Sequence, residues 1–284
     1  MPIIQKTLSG LLFSILYSFR WKQQTFYSNW LFLNPSTPPK DLKKHYQQTL
    51  KNLSAHSLEF LNGLHHFKKL PPNFTDYPTS TQNTLFHLHP DSLLALQKAK
   101  EGGLLLTAHY GNYEALGAWL SQLGIPLKTS YAPQKPKLLN RILEKLRSTN
   151  TNSYSILIKN PKTILSLIQK RKLFCLLADQ DYRQKKTPTS LFFNQQVQCN
   201  PIPNFILKHH PQCPVFFAYI EETPYQKTLH FSEISSENFY THYHQHLEKI
   251  IQNSPHHWYG WVHRRFYSSH PFIYNPKPPN SHKH

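Results

Sequence analysis

Two side chains stand out for the chemistry they could do together. His109 and Glu114 lie in the run His109-Tyr110-Gly111-Asn112-Tyr113-Glu114. An imidazole with one nitrogen held by a carboxylate keeps its other nitrogen free to take a proton from a hydroxyl. Five positions apart on one helix, the two would point to different faces. Across a strand-to-helix turn they can meet, with His109 at the strand end and Glu114 in the first helical turn. Glu114 there also suits the positive end of the helix. Taken alone, the pair reads as a surface histidine beside a helix-start glutamate.

The flanking residues supply such a turn. Gly103 to Ala108 is a short apolar run suited to a strand buried on both faces. Leu116, Trp119, Leu120 and Leu123 then recur at helical spacing, and Gly124 suits a C-cap. Strand-to-helix turns at the C-terminal edge of a sheet are where open α/β folds put their chemistry.

With 284 residues the chain can bury a large core as one domain. Lys and Arg number 32 against 14 Asp and Glu, a formal net charge of +18. Such a balance seeks nucleic acid, an anionic membrane surface or an acidic partner. Three cysteines, Cys175, Cys199 and Cys213, form no paired metal motif and argue against a disulfide framework. His242 and His246 would share a helix face, but no Cys or carboxylate cluster joins them, so a polar face is expected and no metal.

Residues 3–19 are apolar but interrupted by Gln5, Lys6 and serines, and Arg20-Trp21-Lys22 follows. A spanning helix needs ~20 mostly apolar residues, and no small-residue cleavage site follows. The reading is an interfacial or membrane-anchoring helix with Arg20, Trp21 and Lys22 at headgroup level, or else a buried N-terminal helix. Ser36-Thr37-Pro38-Pro39 reads as a capped helix start, followed by an amphipathic stretch to Phe67. A short strand within 83–90, a helix from Asp91 to Lys100 and a strand from Ile125 to Tyr131 are predicted. Lys137 to Arg147 reads as a helix with Leu138, Leu139, Ile142 and Leu146 inside. Asn160-Pro161 opens another helix, with Leu165 and Ile168 inward. Leu173 to Ala178 and Pro214 to Ile220 read as further buried strands. A helix from about Glu237 to Asn253 should turn Tyr240, Tyr243, Leu247, Ile250 and Ile251 inward. These expectations divide the chain into an N-terminal membrane-interface segment (1–33), a main domain (34–270) and a disordered Pro-, Asn- and His-rich tail (271–284).

The stretch from His109 to Glu114 resembles the His-x4-Asp/Glu motif of the lysophospholipid acyltransferase superfamily. More narrowly, it resembles the His-Phe-Gly-Asn-Trp-Glu version of the lipid A late (lauroyl/myristoyl) acyltransferases of Gram-negative bacteria. Further motifs follow in the same order. A Pro-rich turn leads into a helix ending at Arg147, the best match for a functional Arg. Asp179-Gln180-Asp181 follows an apolar strand, Leu191-Phe192-Phe193 matches a Phe-Phe pair, and Pro255 to Phe266 resembles Pro-x-x-Trp-x-Trp-x-His-Arg-Arg with one residue more around Gly260. Two departures stand out: Gln198 to Pro203 lacks the usual Thr and Gly residues, and Glu221-Glu222 stands where an Arg is usual.

The resemblance implies an α/β fold, a central mixed sheet flanked by helices. It also implies acyl transfer from acyl carrier protein to a hydroxyl of a lipid A precursor, on the cytoplasmic face of the inner membrane and without a cofactor. His109 would be the general base and Glu114 would orient it. Gly111, Asn112, Arg147, Asp179, Asp181, His263, Arg264 and Arg265 would bind substrate, with Arg147 or the amides near Gly111 and Asn112 as oxyanion donors. The partners implied are the acidic carrier, the lipid A precursor and an anionic membrane surface, with no nucleic acid. Rival readings are the same fold with another glycolipid or lysophospholipid acceptor, a lipid-binding member without turnover, and a basic nucleic-acid-binding protein. The last would want Lys and Arg interleaved with aromatics on one module, whereas here charge is spread along the chain.

Overall fold

The apolar runs form the strands they predict. The computed structural model describes residues 3–64, 67–74, 77, 85–130, 137–147, 155–156, 160–184, 187–223 and 225–275. Strands β1 (Phe86–Leu88), β2 (Gly103–Thr107), β3 (Leu127–Ser130), β4 (Ser155–Ile156), β5 (Leu173–Leu177), β8 (Val215–Glu222) and β9 (Lys227–Ile234) join in the order β1-β9-β8-β2-β5-β3-β4. β6 (Thr189–Phe192) and β7 (Gln195–Gln198) make a separate antiparallel hairpin. β8, β2, β5, β3 and β4 run parallel, while β9 is antiparallel to β8 and carries β1 parallel to itself. The sheet is therefore mixed. β2 and β5 lie at its centre.

Successive residues of the central strands enter opposite layers, as the period of two requires. Leu104, Leu106, Phe174, Leu176, Val215 and Phe217 pack in one core, and Leu105, Cys175, Phe216 and Ala218 in the other. The first core is covered by α2 (Gln23–Leu33), α7 (Lys162–Gln169), α8 (Ile202–His209) and α9 (Phe239–Asn253). The second is covered by α4 (Ser92–Ala99) and α5 (Tyr113–Gln122). The long α3 (Pro39–Leu61) serves both, sending Leu42, Tyr46 and Leu50 to the first and Phe60 to the second. All five inward residues expected on α9 are buried.

Several expectations are corrected. α3 begins after Pro38 with no side-chain cap from Ser36 or Thr37, and it stops at Leu61. In α6 (Lys137–Leu146), Ile142 faces solvent, while Leu143 and Leu146 pack inward; the side chains of Leu138 and Leu139 lie outside the described residues. On α7 the fully buried residue is Ile164, while Ile168 packs partly buried against the first core as expected. The N-terminal 33 residues are not a separate piece: Phe26 and Trp30 belong to the first core, and the Asn29 amide donates to the carbonyls of Trp261 and His263 at 2.8 and 2.6 Å. Pro271 to Tyr274 form a 3-10 turn with Tyr274 buried, so the ordered fold runs past 270; residues 276–284 lie outside the described part.

Helix α1 (Ile3–Ser18) packs against α3 through Phe13, Leu16 and Tyr17. Its other face exposes Ile4, Leu8, Leu11 and Ile15, with Phe19 just beyond. No described helix is long and apolar enough to cross a membrane.

Candidate active site

β2 and β5 are paired in parallel with Thr107 opposite Leu177. That register fixes what lies beyond the strands, because the second residue after each comes level with the other: His109 and Asp179. The Ala178 amide donates to the Thr107 carbonyl at 2.9 Å and carries the pairing past the strand ends. His109 Nδ1 lies 2.8 Å from Asp179 Oδ1, and the His109 backbone N–H donates to Oδ2 at 3.1 Å. The Trp258 indole N–H donates to the same Oδ2 at 3.0 Å. The carboxylate is fully buried and the imidazole is 19% exposed.

Burial by itself would raise the Asp179 carboxyl. The His109 charge and the three donated hydrogen bonds overcome it and hold the pKa down to about 2. Burial would likewise lower the imidazole, but Asp179, with a smaller contribution from Glu114, outweighs it and leaves His109 above its ordinary value.

The partner expected for His109 is thus corrected. Glu114 does not hold the imidazole; its carboxylate takes a fork from Arg147, with Nε at 2.9 Å from Oε2 and Nη2 on Oε1. The physical reason is the helix start. α5 begins at Tyr113 behind an Asn112 N-cap, which turns Glu114 towards α6 and its Arg147.

Gly111 has φ +53, a left-handed conformation that suits glycine, and its N–H donates to the His257 carbonyl at 2.8 Å. That amide is committed to the fold and is no oxyanion donor. Asn112 is also committed: Oδ1 accepts from the Ala115 N–H at 3.1 Å and Nδ2 donates to Glu59 Oε2 at 2.6 Å. Both shape the turn and line the cavity described below.

The other expected residues divide. The His263 ring stands 5.8 Å from the His109 ring. Asp181 accepts from the Ser268 N–H and hydroxyl at 3.1 and 2.8 Å, so it anchors the C-terminal segment rather than the site. Arg264 lies over the rings of Tyr267 and Tyr274. Arg265 is buried in the core, donating to the Gln198 carbonyl at 3.1 Å and lying over Phe192. The 3-10 turn from Tyr259 to Val262 is buried throughout; His263 and Arg264 after it are exposed, and Arg265 returns to the core.

Three neighbours of His109 were not read from the sequence. Trp258 holds Asp179, the Tyr259 N–H donates to the His109 carbonyl at 2.8 Å, and Gln180 brings its amide nitrogen to 3.4 Å from His109 Nε2. The run Trp258-Tyr259-Gly260-Trp261, with glycine two residues after the first Trp, was the available signal. A Cβ on Gly260 would lie 2.1 Å from the Trp258 indole, so only glycine leaves that ring its place.

His109 opens on a cavity of about 800 Å³. Its polar end carries Glu114, Arg147 and Gln180. Its apolar walls include Phe60, Leu116, Leu120, Leu127, Leu143 and Cys175, with Gly117 among them, contributed by α3, α5, α6 and the sheet. Asn200, within the segment that departs from the expected pattern, also lines it. Among the described residues, no group of three or more His, Cys, Asp or Glu could hold a metal ion.

A carboxylate-held imidazole thus stands at the strand ends of a mixed α/β sheet and opens on a largely apolar chamber, the general form of a ligand-binding site. Comparison with family models makes the class specific. The model described as bacterial lipid A biosynthesis acyltransferase matches residues 87–268, well over half of the chain, and the protein belongs to that family. It is an acyltransferase of lipid A biosynthesis, and the family implies a lipid A precursor as acceptor. Comparison with curated proteins gives no match.

Proposed function

We propose that this acyltransferase moves a fatty acyl chain from the thioester of acyl carrier protein to a hydroxyl of a lipid A precursor, with His109 as the general base. The observation that carries the reading is the held Nδ1 of His109, which leaves Nε2 to the cavity. In this reading Nε2 takes the hydroxyl proton as the oxygen attacks the thioester carbonyl carbon. The tetrahedral intermediate then collapses, the C–S bond breaks, and the imidazolium returns the proton to the departing thiolate. Asp179 stabilises the imidazolium in between. General-base catalysis of this kind contributes ~10²–10⁴-fold. The Gln180 amide, beside the same nitrogen, is a candidate donor to the carbonyl oxygen as its charge develops. The apolar walls beneath α5 suit the acyl chain, and no cofactor is needed beyond the carrier-borne thioester.

The same reading places the protein at the cytoplasmic face of the inner membrane. The apolar stripe on α1 supports a helix lying in the interface, with Arg20 and Lys22 exposed at its end to meet anionic headgroups. The net charge of +18 suits an acidic carrier as well.

The test is a reconstituted reaction with acyl carrier protein thioester and a lipid A precursor, read by mass spectrometry. One added acyl group in base-labile ester linkage is expected. Transfer only to a lysophospholipid or another glycolipid would replace the acceptor, and no transfer to any acceptor would leave a lipid-binding member without turnover.

A further inference from the structure

A second polar cluster, separate from the His109–Asp179 pair and reaching the cavity wall at His56 and Tyr259, has no part in the reaction outlined above. Lys227 is the first residue of β9 and Glu222 the last of β8, directly opposite it in the ladder. Lys227 Nζ lies 2.8 Å from Glu222 Oε1 and 3.2 Å from Glu59 Oε2. Glu222 Oε2 contacts His56 Nε2 at 2.5 Å, and His56 Nδ1 contacts the Tyr259 hydroxyl at 2.5 Å. The four ionisable side chains are between 10% and 17% exposed. His56 and Glu59 are three residues apart on α3 and so share one helix face.

Such a cluster costs desolvation that mutual attraction seldom exceeds by much, so stability alone is a weak reason for it. Satisfied buried networks do fix geometry. Both ends of this one reach the turn that carries His109. At one end Glu59 Oε2 accepts from the Asn112 amide at 2.6 Å, and Asn112 caps α5. At the other end is Tyr259, whose backbone N–H holds the His109 carbonyl at 2.8 Å. The turn from His109 to Tyr113 is thus gripped on both sides by groups tied to one ammonium.

We infer that Lys227, with Glu59, Glu222 and His56, is a positioning network that sets the His109 turn and the start of α5 for acyl transfer. It acts through Asn112 and Tyr259 and touches no reacting atom. The inference rests on the proposed role of His109. It assigns work to Glu222, which stands where the family resemblance leads one to expect an Arg. A misplacement of about 1 Å from a change remote from the chemistry can cost ~10²-fold in rate, so small shifts of the turn would be felt.

The experiment compares Lys227→Met, Lys227→Arg and Glu59→Gln with the wild type, measuring kcat, KM for the acyl donor and thermal unfolding. Wild-type turnover is the control for the function itself; without it, the proposed function fails and this inference with it. Given wild-type turnover, Lys227→Met is expected to lose about tenfold or more in kcat at unchanged KM, and Lys227→Arg to recover most of the loss. Wild-type kcat in Lys227→Met overturns the inference, as does an equal loss in Lys227→Arg and Lys227→Met. Should Lys227→Met not fold, the isosteric Glu59→Gln decides: reduced kcat at unchanged KM upholds the network, and wild-type kcat overturns it.

Discussion

His109 Nδ1 and Asp179 Oδ1 are 2.8 Å apart although 70 residues separate them in the chain. The pairing follows from the parallel register of β2 and β5, and the Trp258 indole completes the hydrogen bonding of the carboxylate. The imidazole thus owes its orientation to the adjacent strand end, not to its own motif.

The pH dependence should report this pair. Because His109 titrates above its ordinary value, the acid limb of kcat/KM should lie above pH 6.5, with activity lost as the imidazole protonates. Asp179→Asn removes the charge that opposes burial, so the limb should move to lower pH while the plateau falls. His109→Ala should remove ~10²–10⁴-fold of the rate with the fold intact. A limb unmoved in Asp179→Asn would contradict the pairing. The stability sign is opposite for the two groups. The contribution of Asp179 is present above its unfolded value of 3.8 and lost as pH falls through about 2; that of His109 is present below 6.5 and lost as pH rises through its folded value.

Glu114 and Arg147 should behave as one unit. Glu114→Gln is expected to cost less activity than His109→Ala, since it does not hold the imidazole. In a double-mutant cycle with Arg147→Met, the losses should be strongly non-additive. Additive losses would mean that each touches the substrate independently.

Gly117 lines the apolar part of the cavity from within α5. Gly117→Leu should transfer shorter acyl chains, read by mass spectrometry of the product. Its stability should not suffer from helix propensity, where leucine in place of glycine gains up to ~1 kcal/mol. An unchanged chain-length profile would put the acyl chain elsewhere.

The stripe on α1 should govern membrane residence. Leu8→Glu with Ile15→Glu places charge at exposed positions, so the circular dichroism spectrum should stay native. Sedimentation with vesicles containing anionic lipid should fall, while turnover on detergent-dispersed acceptor remains close to wild type. Undiminished vesicle binding would move the membrane contact to another face.

The central strands and the buried side of α9 were legible because their signals are local: short apolar runs for β2, β5 and β8, and a 3.6-residue period for the helix. β9 was not read, since its alternation of Leu229 and Phe231 with polar residues lies in a polar stretch. The imidazole's partner was out of reach for a different reason. Proximity in sequence favoured Glu114, whereas strand register decides in favour of Asp179, and register is not written in either strand alone. Arg265 shows the same limit. A charged residue in a motif near the site suggested substrate contact, but packing against Phe192 and the Gln198 carbonyl makes it core. Ile142 is the converse, an apolar residue left facing water.

Gly260 and Trp258 share one volume, and that sets an order on the changes a lineage can accept. While the indole stands against Asp179, no side chain fits at 260. If Trp258 is first exchanged for a smaller residue, position 260 opens, and any side chain that then arrives bars the tryptophan from returning. The loss of the indole is therefore a ratchet. In divergent copies of this fold, a residue other than glycine at the position of Gly260 should travel with a small residue at the position of Trp258, and both should mark an Asp179 counterpart held by other means.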